Sequence, residues 1–223
     1  MPRILYWMEQ SPPCSAVVLL AKNLGVELSL KPIILFSAEK NPDLLKANPQ
    51  HLVPTLDDDG FILAESLYYS TYKLFLSLFP SRAIMGYLVD QYAKDDSLYP
   101  KDPKKRALVN QRLYFDIGTL YESFLKYWDS LFLQQKIDVK VVLAKIEGAV
   151  RFLNSFLEGH KWVAGDNLTI ADYALLVSVT NAEVSTNRSV VVMPRGFRET
   201  AALEGILGNP FLHKIINLTP AVQ

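Results

Sequence analysis

The sequence predicts an α+β chain in two parts, a mixed-sheet domain in the order βαβαββα followed by an all-helical domain. Three observations carry this. Short apolar runs alternate with helical stretches over residues 1–94 and cease after them. The polar, Pro-punctuated stretch Asp95-Asp-Ser-Leu-Tyr-Pro-Lys-Asp-Pro103 separates the two patterns and reads as a linker, 95–103. Beyond it apolar residues recur at three and four, so 104–223 is assigned to the helical domain.

In order, Ile4-Leu5-Tyr6-Trp7-Met8 is a first strand with both faces buried. Ser11-Pro12-Pro13-Cys14 opens a helix, with serine as N-cap and proline tolerated in the first turn, where its missing N–H would have no partner. Val17, Val18, Leu20, Ala21 and Leu24 carry it to Gly25, a C-cap glycine. Val26 to Leu30 alternates with period two and predicts a second strand, and Asn41 to Ala47 a short helix. Next comes Asn48-Pro-Gln-His-Leu-Val-Pro-Thr-Leu-Asp-Asp-Asp-Gly-Phe-Ile-Leu-Ala-Glu-Ser66, two apolar runs around a tight turn at Asp57-Asp58-Asp59-Gly60, hence a hairpin. Pro54 cannot donate to a sheet ladder and belongs at a strand start. A cis bond there would turn the Val53 backbone outward, able to pair with an extended ligand. Strand, helix, strand, short helix, hairpin and helix is the order of a thioredoxin-like sheet, a parallel pair followed by an antiparallel one.

In the second part, Lys104 to about Leu133 predicts one long helix. Val139, Val142, Ile146, Ala149, Val150, Leu153, Phe156 and Leu157 mark an amphipathic helix ending at Gly159. Thr169 and Asp172 have capping-box spacing, Leu168 is placed to staple onto Tyr173, and Ala171 to Val179 is apolar almost all round, a buried helix. A short helix is assigned near Glu199 to Leu207.

Composition excludes several functions. Lys plus Arg and Asp plus Glu balance at 23 each, which gives no footprint for nucleic acid or an anionic membrane. One cysteine, Cys14, rules out an internal disulfide framework and suits a reducing compartment. No stretch has the ~20 apolar residues of a membrane span, and the opening residues carry no signal-peptide pattern. Histidines at 51, 160 and 213 have no metal spacing. The expectation is a soluble, cytoplasmic chain without metal or cofactor.

The chemistry starts at Ser11. Ser-x-x-Cys stands where a thiol–disulfide exchanger carries Cys-x-x-Cys, so dithiol exchange is lost and a hydroxyl remains at a helix N-terminus. Ser11 is either a plain N-cap or, with the helix dipole, a stabiliser of an incoming thiolate.

These motifs resemble the cytosolic glutathione transferases: His51-x-Val-Pro-Thr-Leu56 followed by Glu65-Ser66 is similar to their glutathione-binding stretch. Ser11-Pro-Pro-Cys14, Asn48-Pro-Gln-His51, Lys94-Asp-Asp-Ser-Leu-Tyr-Pro-Lys-Asp-Pro103, Asn110-Gln-Arg-Leu-Tyr-Phe-Asp116 and Gly159-His-Lys-x-Val-Ala-Gly-Asp166 resemble the arthropod delta class, with epsilon next. The resemblance covers residues 3–184 apart from an insert. It implies a homodimeric transferase that joins glutathione, a co-substrate and not a cofactor, to small hydrophobic electrophiles in detoxification. It implies that Ser11 activates the glutathione thiol and that His51, Val53 and Pro54 hold the peptide. Glu65, Ser66 or Ser81, and Arg82 would hold the γ-glutamyl end, with Asp116 an electrostatic helper. Tyr121, Phe124 and Tyr127 would line the electrophile pocket or be ordinary helix core. A binding protein of the same fold with little turnover is the alternative, and a Cys14-based oxidoreductase a third reading.

The sequence departs from that pattern at four places. Ser15 stands where the family has arginine, and Ala38-Glu-Lys40 where it has a histidine-bearing loop one residue longer. Residues 67–81, or 66–80, separate Glu65 from Arg82 with an aromatic, nearly uncharged run. That run reads as a lid or as mis-joined coding sequence, and its aggregation-prone composition favours the second. From Ser185 onward the tail no longer follows the family.

Overall fold

A computed structural model describes residues 3–8, 11–34, 41–64, 80–132 and 138–185. They fall in two compact units, residues 1–94 and 95–223.

The first unit holds four strands, β1 (Ile4–Trp7), β2 (Ser29–Pro32), β3 (Thr55–Asp58) and β4 (Phe61–Leu63), in the order β2-β1-β3-β4. β1 runs parallel to β2 and antiparallel to β3, and β3–β4 is the hairpin. Leu5 is fully buried between its partners Leu30 and Leu56, so the central strand is the core of the sheet. Two of the predicted boundaries move. β2 begins at Ser29, not Val26, because the residues after α1 (Pro12–Leu24) are used to end that helix. Gly25 is left-handed at φ 69°, and Val26 N–H donates to the Ala21 carbonyl, a bond that withdraws Val26 from any strand. In the hairpin, Asp57 and Asp58 stay in β3, and only Asp59 and Gly60, both at positive φ, make the turn. α2 is Pro42–Ala47, and α3 (Pro80–Tyr92) packs on α1 and β4 through buried Ile84, Met85, Leu88 and Val89. Each such side chain contributes about 1.5–3 kcal/mol by leaving water.

In the second unit the predicted long helix is a continuous run with a wider turn inside it. α4 (Pro103–Phe115) passes into a π-helical segment, Asp116–Tyr121, and then α5 (Glu122–Phe132). Its start is pinned by Asp102, which caps Lys105 N–H, and by Arg106, whose guanidinium donates to the Tyr99 and Pro100 carbonyls. α6 is Val139–Leu157 as its period predicts, capped by Asp138. α7 (Ile170–Ser185) is buried from Ile170 to Glu183. Its polar residues are accommodated by local bonding: the Thr180 hydroxyl and Asn181 amide donate to carbonyls one turn back.

Half of the expected capping box forms, with Asp172 reaching back to the Thr169 N–H, while the Thr169 hydroxyl turns to the Asp172 carboxylate instead of accepting from the Asp172 N–H. The Thr169 hydroxyl donates to Asp172 at 3.0 Å, Thr169 N–H to the same oxygen at 2.8 Å, and Val163 N–H to the other at 2.9 Å. Asp172 is thus the acceptor that ties the preceding loop to the helix start. Among the described residues no helix is long and apolar enough to cross a membrane. The insert over residues 67–79 and the helix assigned near Glu199 lie outside the described residues.

Candidate active site at one end of the sheet

Strand pairing decides which turns meet. Tyr6 pairs with Thr55, so the turn after β1 that carries Ser11 and the turn before β3 that carries Pro54 leave the sheet at the same end. α3 packs along α1, and its later turns bond Asp58 at the other end of β3. Its first turn, with Ser81 and Arg82, therefore points back toward the end that carries Ser11.

Ser11 has extended backbone (φ −85°, ψ 113°) and caps α1, its hydroxyl oxygen accepting from Cys14 N–H at 3.5 Å. Its N–H donates to the Met8 carbonyl, which closes the turn. The capping bond uses a lone pair, so the hydroxyl proton is what Ser11 can offer an anion. The first turn of α1 carries no acidic residue, so the positive end of the helix dipole is not opposed there. Ser15, where arginine was expected by resemblance, is buried and donates to the Ser11 carbonyl at 3.0 Å.

Cys14 is a different kind of residue. It is fully buried, its sulfur accepts from Met8 N–H at 3.5 Å, and burial pushes its thiol up to about 11. At neutral pH it is a protonated thiol that packs. Iodoacetamide should therefore leave Cys14 unlabelled in the native protein at pH 7.5 and label it once denatured. Rapid native labelling by mass spectrometry would restore the oxidoreductase reading.

The Val53–Pro54 bond is cis. Around it Asn48, buried, acts as a brace: its amide donates to the Leu52 carbonyl at 3.3 Å and to the Thr55 hydroxyl at 3.1 Å. Its side-chain oxygen accepts from Gln50 N–H, and Thr55 donates in turn to Leu52. His51 is held left-handed at φ 59°, and its Nε2 is buried without a hydrogen-bond partner among the described residues. Sequence reading missed the bracing role of Asn48 and Thr55. The signal was a pair of small polar residues flanking the Pro54 turn, both able to bond backbone.

Ser81 and Arg82 are both buried in the first turn of α3, with Arg82 Nη1 donating to Ser81 Oγ at 2.5 Å. Glu65 and Ser66 lie outside the described residues, as does the loop at Ala38-Glu-Lys40. Tyr121, Phe124 and Tyr127 are buried within the helical unit, and the first two rings pack at 6.2 Å between centroids. Burial pushes the Tyr127 phenol up. Asp116 is fully buried where the π-helical segment starts. His160 is exposed, 3.4 Å from Asp166, and among the described residues no cluster could hold a metal ion.

The arrangement can take an extended peptide along the Pro54 turn with an anion at the α1 N-terminus. A family model described as Glutathione S-transferase, N-terminal domain, matches residues 5–75, and one described as Glutathione S-transferase, C-terminal domain, matches 108–190. A delta-class glutathione transferase of Nilaparvata lugens is 40% identical, with 98% of this chain and 100% of that one covered, at TM-score 0.75. The Bombyx mori glutathione transferase BmGSTD1 is 38% identical over 98% of this chain and 94% of that one, at TM-score 0.77. An epsilon-class glutathione S-transferase from the housefly, Musca domestica, is 33% identical over 97% and 96%, at TM-score 0.76. The chain belongs to the cytosolic glutathione S-transferase superfamily.

Proposed function

We propose that this chain is a delta-class glutathione transferase, working in the cytoplasm as a homodimer, that conjugates the glutathione thiolate to small hydrophobic electrophiles. The observation that carries the reading is Ser11, a hydroxyl at the unopposed N-terminus of α1, at the sheet end that also carries the cis Pro54 turn. Ser11 donates to the sulfur, and with the helix dipole favours its ionised form. The thiolate then attacks the electrophilic carbon and expels the leaving group. His51, Val53 and Pro54 hold the peptide. Ser81 and Arg82, with Glu65 and Ser66, take the γ-glutamyl carboxylate and ammonium. Tyr121, Phe124 and Tyr127 supply apolar surface to the electrophile.

Glutathione immobilised on resin should retain the protein and free glutathione elute it, and the eluate should conjugate chlorodinitrobenzene. Arg82→Ala should raise the glutathione KM about tenfold and leave the electrophile KM within about twofold. Absence of retention and turnover by the wild type contradicts the reading. Retention without turnover supports the second one, a binding protein, which the long separation of Glu65 from Arg82 in the sequence favours.

A further inference from the structure

We propose that Asp58, through the phenols of Tyr87 and Tyr92, is a positioning residue that sets the register of α3 and so presents Ser81 and Arg82 to glutathione. The inference rests on the function proposed above. Tyr87 and Tyr92 both donate to Asp58 Oδ2, Tyr87 at 2.7 Å. Asp58 Oδ1 faces Arg3 Nε at 3.5 Å, and the Arg3 guanidinium lies 4.2 Å from the centre of the Tyr92 ring. Phe61, across the hairpin from Asp58, packs on Tyr87 at 5.1 Å. Burial, followed by the Asp58 carboxylate, pushes the Tyr87 phenol well up, so it remains a donor throughout the neutral range.

Why α3 needs such a tie follows from the rest of its surroundings. Sixteen residues separate Leu63, the last of β4, from Pro80 of α3. The apolar contacts of α3 repeat along the helix. A slip of four residues, about 6 Å, would place Leu88 where Ile84 packs and Val89 where Met85 packs. Apolar packing distinguishes poorly between the two registers, whereas hydrogen bonds from two phenols to one carboxylate oxygen fit only one. Tyr87 lies about 9 Å along the helix from Ser81, so fixing one fixes the other.

The test is the Tyr87→Phe/Tyr92→Phe double variant, with each single variant beside it. Phenylalanine keeps the ring packing and removes only the O–H. The glutathione KM should rise about tenfold in the double variant and less in each single one. kcat at saturating glutathione and the electrophile KM should stay within about twofold. Amide hydrogen exchange without ligand should quicken over residues 84–92 and stay unchanged in β1 and β3. Unchanged glutathione KM overturns the proposal, and so does a parallel rise of both KM values with faster exchange throughout the sheet. Should the wild type neither bind nor conjugate glutathione, the proposed function fails separately. Exchange then decides the α3 tie alone: local quickening upholds it and unchanged exchange overturns it. If the double variant does not fold, the single variants carry the same readouts.

Discussion

At about pH 6.5, where the bound thiol is about half ionised, Ser11→Ala should lower kcat/KM for conjugation about 100-fold while glutathione affinity changes less than about threefold. The asymmetry has a physical origin. The Ser11 hydroxyl and the α1 dipole interact with a sulfur anion far more strongly than with a neutral thiol, so their loss falls on the ionised state and the transition state that follows it. Holding a thiolate two units below its ordinary ionisation requires about 2.7 kcal/mol of preference for the anion, within reach of one charge-assisted hydrogen bond plus a helix terminus. In the proposed complex the peptide, by contrast, is gripped by the Pro54 turn and by α3, which the substitution leaves alone. Steady-state kinetics against chlorodinitrobenzene with calorimetric glutathione binding checks both halves. Cys14→Ser is the companion: its sulfur is buried and protonated, so conjugation per folded molecule should hardly change. If the cysteine variant loses more activity than the serine variant, Cys14 carries the chemistry.

Asp172→Ala should cost about 3–5 kcal/mol of stability, with a fall in Tm of about 10 °C. Three donors, Val163 N–H, Thr169 N–H and the Thr169 hydroxyl, converge on this one buried carboxylate and would lose their acceptor together. α7 would lose its tie to the loop before it, and α7 is the most completely buried helix described in its unit. The pH dependence has a definite sign. Burial pushes the Asp172 carboxyl up to about 6, against the pull of those three bonds, from an ordinary value of 3.8. The folded chain then holds this proton more tightly than the unfolded one. The stabilising contribution is full below about pH 4 and is lost as pH rises through about 6. Denaturant unfolding should show the wild type gaining stability on Asp172→Asn between about pH 7.5 and about pH 5. A gain in the opposite direction would mean that the three hydrogen bonds outweigh burial.

What could be read from the residues alone follows the range of the forces. The Ser11 cap and the Gly25 terminus are set by neighbours in sequence, and each stands where local chemistry puts it. β2 moved by three residues because period-two alternation does not reveal that Val26 is spent on closing α1. The π-helical segment at Asp116–Tyr121 kept the apolar spacing of an α-helix closely enough to pass as one. The Thr169–Asp172 pair was legible as a cap, but the long-range donor from Val163 was not, and that donor makes Asp172 a junction. The tie from Asp58 to Tyr87 and Tyr92 joins residues far apart in sequence, across a connection with no recognisable pattern, and only tertiary structure shows it. Of the residues proposed for the site, Ser11, His51, Val53, Pro54, Ser81 and Arg82 follow from the family resemblance, while the buried brace made by Asn48 and Thr55 was not foreseen.

Whether Ser11 and the α1 terminus favour a sulfur anion is measured directly by titrating bound glutathione. The ultraviolet absorbance of the thiolate, followed with pH in the complex of the wild type with glutathione, should report ionisation about two units below the ~8.5 of a free thiol. In Ser11→Ala the midpoint should return to within about half a unit of the free value. A bound thiol that titrates like the free one in the wild type, or a midpoint that does not move in Ser11→Ala, would contradict that preference.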